Sequence, residues 1–91
     1  MDFEHKKLGK LMVKELTQRD VENFGKEYRA LDRKSQVDVN GATVRAAIKA
    51  GLITEPEWTV EMVDQMKPYL VAWYAQCIDK AYLEATTVPN E

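Results

Sequence analysis

Apolar residues recur along this chain mostly at helical intervals, and the strongest run lies near its C-terminal end. Between Pro68 and Ala85, Leu70, Val71, Tyr74, Cys77, Ile78, Ala81, Tyr82 and Ala85 share one stripe at about 100° per residue, with Gln76, Asp79 and Lys80 behind it. Pro68 suits a first helical turn, where no amide hydrogen is needed, and Pro89 stops the helix from continuing. The pattern predicts a central helix over 68–85. Upstream, Val21, Phe24, Tyr28 and Leu31 repeat at intervals of three and four, predicting a helix over 18–33 opened by Thr17-Gln-Arg-Asp20 as N-cap and first-turn acid. Gly25 weakens that helix by about 1 kcal/mol of propensity and leaves room for a neighbour to approach closely. A short, alanine-rich helix over 42–50 would bury Val44, Ala47 and Ile48, with Asp38 or Asn40 as its cap. Gly51 stands where a left-handed residue ends it and Leu52 folds back. Thr59 caps a further short helix over 59–66 that turns Val60, Val63 and Met62 or Met66 inward.

The remaining stretches lack period. Leu11, Met12, Val13 and Leu16 form an apolar segment with no second run of similar quality to pair with. It is either an extended lead-in across the helices or an edge that pairs with another chain. Residues 1–9 are expected as a flexible arm. Residues 32–41, closing on Asn40-Gly41, read as a connection, 53–58 as a loop in which Trp58 can cover the core, and 86–91 as a tail. The expected fold is all-α in the main: one domain, 1–91, with about four helices in a compact bundle around the C-terminal helix and an extended N-terminal lead-in.

Composition narrows the class. Ninety-one residues, 45% hydrophobic and 31% charged, suit one globular core. No apolar run reaches the ~18 residues of a membrane span, and the first residues lack the apolar core of a signal peptide, so the chain is expected in the cytoplasm. One cysteine cannot form an internal disulfide, and Cys77 with His5 cannot build a zinc site. Residues 1–34 carry nine Lys or Arg against seven acids and residues 35–91 four against eight, for a net charge of −2. That acidity counts against nucleic acid as a partner. No pair of carboxylates lies within an apolar run, Cys77 has no base near it in sequence, and Asn40-Gly41-Ala-Thr43 lacks the length and lysine of a phosphate loop. Neither enzymatic activity nor a cofactor is expected. Surplus apolar groups, Met12, Trp58 and Trp73, are the candidate interface. Trp73, on the flank of the central stripe, is either a core contact with helix 59–66 or an exposed anchor.

Two resemblances bear on function. Ala42-Thr-Val-Arg-Ala-Ala-Ile-Lys-Ala-Gly-Leu-Ile53 resembles the second helix and following turn of excisionase-type winged helix-turn-helix domains, which implies DNA contacts by Thr43, Arg45 and Lys49. No basic wing follows, because the next residues are Thr-Glu-Pro-Glu. Over most of the chain, the layout resembles small tail-assembly proteins of long-tailed bacteriophages. The matching pieces are Leu11-Met-Val-Lys-Glu-Leu-Thr17, Val44-Arg-Ala-Ala-Ile-Lys-Ala-Gly-Leu52, Val63-Asp-Gln-Met-Lys-Pro68 and Tyr82-Leu-Glu-Ala-Thr-Thr-Val-Pro-Asn90. That likeness implies a helical tail assembly chaperone, in the host cytoplasm, that oligomerises and binds tape-measure or tail-tube protein. It carries over no site residues.

Overall fold

A computed structural model describes residues 1–89, and it corrects the all-α expectation: three helices pack on one another, and a small antiparallel sheet joins them through its middle strand. Strand β1 (Asp2–His5) pairs with β2 (Gly9–Val13), which pairs on its other side with β3 (Ile53–Glu55). The residues expected as a flexible arm are therefore β1, and part of the expected 53–58 loop is β3. The lead-in finds its partners within its own chain, β1 along its length and β3 at Met12 and Val13.

The hairpin turn explains the first pairing. His5 Nδ1 accepts from the backbone N–H groups of Lys7 and Leu8 at 3.0 and 3.3 Å, and Gly9 takes φ = 95°, a left-handed value that side chains oppose. Register then follows side-chain size. Phe3 lies opposite Leu11, and alternation sends Leu11 and Val13 into the core while Met12 faces out.

Helix α1 (Gln18–Arg29) is shorter than its apolar spacing predicts, because Leu31 lies beyond its end. Its start is the expected one. Thr17 Oγ1 accepts from the Asp20 N–H, and the Asp20 carboxylate accepts from the Thr17 N–H at 2.9 Å, closing a capping box. Helix α2 (Gln36–Lys49) begins six residues earlier than expected, with Ser35 as cap accepting from the Asp38 N–H at 3.2 Å. Asn40-Gly41 is thus interior to a helix and not a turn. Gly41 is buried, and packing overrides its turn preference. The end of α2 matches expectation. Gly51 takes φ = 74°, its N–H donates to Ile48 O, and the Leu52 N–H donates to Ala47 O at 2.9 Å, which satisfies the last carbonyls and buries Leu52 completely.

The expected helix 59–66 is a tighter 3₁₀ segment, Val60–Gln65, and Thr59 makes no side-chain cap there. Met66 packs on the core, whereas Met62 is exposed. Helix α3 (Pro68–Thr86) runs one residue beyond its predicted end. It buries Val71, Tyr74, Cys77, Ile78 and Ala81 of the predicted stripe and adds Ala75, while Ala85 stays in solvent. One core joins all layers, with Leu11 and Val13 from the sheet, Phe24 from α1, Val44 and Ala47 from α2, and Ile78 from α3.

Candidate protein-binding surface

Both tryptophans converge on Tyr74, the most buried aromatic side chain of α3. The Trp58 indole N–H donates to Tyr74 Oη at 3.1 Å, and the two rings meet edge to face at 6.0 Å. Trp73 lies against Tyr74 at 5.5 Å and against His5 of β1 at 5.7 Å, which gives it a ring contact with the sheet. Trp58 and Trp73 are each partly buried and packed on the core. Met12 lies on the opposite face of β2, away from both. The three candidate interface residues therefore form no common patch. Loss of solvent around Tyr74 raises its hydroxyl pKa above the ordinary value, and burial pushes the Cys77 thiol up to about 11, a value at which it is inert as a nucleophile.

A different surface gathers unpaired apolar side chains. Between the first turns of α2, the 3₁₀ segment and the start of α3 runs a groove of about 270 Å³, floored by buried Val63 and Val71 and edged by Val37, Met66 and Pro68. Val37 is 69% exposed, and the groove's chain neighbours Met62 and Tyr69 are 45% and 62% exposed. These large side chains belong to short turns whose inward positions are already taken, so they remain in water. Periodicity alone missed Val37 because residues 32–41 read as a connection. The signal that finds it is Ser35-Gln-Val-Asp38, a capping pattern that starts a helix and carries Val37 into its exposed first turn. Leu83, also exposed, stands roughly 20 Å away along α3, and exposed Val88 follows the end of that helix.

One wall of the groove is an ion pair, Arg45 Nη2 to Asp64 Oδ1 at 2.6 Å. Gly41 makes room for it. Side chains lean toward a helix N-terminus, and a Cβ at position 41 would stand 2.6 Å from the Arg45 Nη1. This geometry also disperses the residues of the helix-turn-helix resemblance. Thr43 is buried, with its hydroxyl donating to Val39 O at 2.9 Å. Arg45 turns to the 3₁₀ segment, and Lys49 points to Glu27 of α1 at 3.9 Å. The two cations each face a carboxylate, and the three residues present no joint basic face.

A second charged pair braces the start of α1. Lys14 Nζ lies 3.2 Å from Asp20 beside the capping box, and the Thr17 backbone N–H holds the Asp20 carboxyl below its ordinary pKa. Asp79 lines a cleft with Phe24, Tyr28 and Tyr82, where surrounding protein shields one side of its carboxyl and raises its pKa. Among the described residues, no group of His, Cys, Asp and Glu is arranged to hold a metal ion, and no helix is long and apolar enough to cross a membrane. No protein family, curated protein or solved structure matches this chain.

Proposed function

We propose that this chain is a non-enzymatic protein-binding module that assembles with copies of itself and with a helical structural protein. The observation that carries this reading is the groove, where exposed Val37 stands at the rim of a floor formed by buried Val63 and Val71, with exposed Met62 and Tyr69 next to its lining residues in the chain. A helix laid along such a groove would cover apolar side chains at i, i+3 and i+4 spacing. The tail-assembly resemblance supplies the narrower form: a phage tail assembly chaperone whose partner is tape-measure or tail-tube protein, acting in the host cytoplasm. DNA binding by Thr43, Arg45 and Lys49 gains no support from the burial of Thr43 or the carboxylates beside the two cations.

Two measurements test the proposal. Sedimentation of the purified chain should show concentration-dependent association that Val37→Asp and Tyr69→Asp reduce by at least tenfold. Co-expression with phage tape-measure and tail-tube proteins should yield a complex lost in the same variants. A monomer at every concentration, together with no complex, refutes the proposal.

A further inference from the structure

The sheet has an open side. Strand order β1-β2-β3 leaves β1 at an edge, and the hydrogen bonds fix which of its backbone groups are spare. Met1 and Val13 exchange both backbone bonds, so in an antiparallel ladder Phe3–Leu11 and His5–Gly9 are the next bonded pairs. Asp2 and Glu4 belong to the intervening pairs, and their N–H and C=O groups point away from β2. Among the described residues nothing bonds to those four groups. The edge is four residues long, with no proline and no bulge against β2, and its shortness and its two exposed carboxylates are what guard it against indiscriminate pairing.

Side chains dictate what can add to this edge. Asp2 and Glu4 project on the outer face and are exposed, while Phe3 between them turns to the core side. A second copy of β1 fits poorly. Antiparallel self-pairing centred on Phe3 sets Asp2 against Glu4 of the other copy, and centred on Glu4 it sets Glu4 against itself, so like charges oppose in either register. Lys10 Nζ lies 3.9 Å from Glu4 in a surface-exposed pair, and among the described residues no side-chain cation comes within 4.0 Å of the Asp2 carboxylate.

We infer that the β1 edge binds, by strand addition, an extended segment of a partner protein in which Lys or Arg alternates with apolar residues. The basic side chains face Asp2 and Glu4, and the apolar one between them covers Phe3 beside His5 and Trp73. Because the side-chain period of a strand is two, this pattern is the same for a parallel or an antiparallel guest. The inference rests on the protein-binding reading above but uses a surface separate from the groove.

A peptide isolates it. Acetyl-Lys-Val-Lys-Val-Lys-amide, titrated into the ¹⁵N-labelled chain at low salt, should shift the Asp2 and Glu4 amides saturably and slow their hydrogen exchange. The acidic counterpart acetyl-Glu-Val-Glu-Val-Glu-amide should do neither. Glu4→Pro removes an outward N–H that β2 does not use, so thermal unfolding should stay near wild type while affinity drops at least tenfold. The double variant Asp2→Asn with Glu4→Gln keeps the backbone and should weaken only the basic peptide. No saturable shift with the basic peptide, equal binding of both peptides, or binding indifferent to a folded Glu4→Pro variant overturns the inference. Loss of self-association in the groove variants would leave these results untouched, so the two proposals fail separately.

Discussion

Tyr74 is the residue at which stability can be dissected most sharply. It is 2% exposed, touches both tryptophans and accepts the Trp58 indole N–H at 3.1 Å. Tyr74→Phe keeps the ring and removes the acceptor, so the loss is a hydrogen bond between neutral groups, about 1 kcal/mol. Trp58 is only partly buried, so its N–H can turn toward water, which holds the loss at that level and not at the larger value for a stranded donor. For a chain of this size, 1 kcal/mol corresponds to a fall in Tm of roughly 4–8 °C. Tyr74→Ala removes the ring as well and should cost about 3–5 kcal/mol, by analogy with other buried aromatic truncations. The assay is urea unfolding followed by circular dichroism and by tryptophan emission, arranged as a double-mutant cycle with Trp58→Phe. The coupling energy should be near 1 kcal/mol, because both single variants break the same bond. Coupling below about 0.3 kcal/mol, or a Tyr74→Ala variant within about 1 kcal/mol of wild type, refutes the geometry described.

Three further side chains give sharp tests. Cys77, buried with its thiol pushed up to about 11, should resist thiol reagents at pH 8 and label only as fast as the chain opens. Its contribution to stability should be intact below its ordinary value of 9.0 and fade as pH rises toward 11. Asp20 runs the other way. Its folded pKa is depressed by the capping bonds, so its contribution is present above the ordinary carboxylate range and disappears as pH falls through the lowered value. Asp20→Asn should flatten acid unfolding, and Thr17→Ala should cost about 1 kcal/mol in chemical denaturation. Gly25→Ala should stabilise by roughly 0.5–1 kcal/mol, because the new Cβ meets only the flexible end of Arg29, at 3.0 Å. A net loss of stability would mean that the Arg29 position matters.

The parts of the fold that could be read from sequence are those whose signals are local and redundant. Central helix α3 announces itself through large side chains on one stripe, and the Gly51-Leu52 ending of α2 through chemistry that only glycine satisfies there. The sheet was hidden because β1 carries one packed apolar residue, Phe3, among charges, and β3 is three residues long. Both gain their stability from β2, a relation between distant segments that no window of sequence displays. At Asn40-Gly41 two local rules conflicted. The turn preference of the pair lost to a helix already started by Ser35 and to the buried position of Gly41 against its neighbours. The candidate surface was correspondingly obscure. Trp58 and Trp73 attract attention by size but spend much of their area on Tyr74, whereas Val37 and Tyr69 are conspicuous only once the first turns of α2 and α3 are in place.

The hairpin bend exposes two consecutive lysines, Lys6 and Lys7, between the first strand and the one it shelters. A trypsin-like protease cutting after either lysine would leave the first six or seven residues attached only by noncovalent bonds, and dilution would strip them away. Gly9, Leu11 and Val13 would then carry vacant amides and carbonyls along a new edge, turning a guarded strand into a seed for fibrous aggregation.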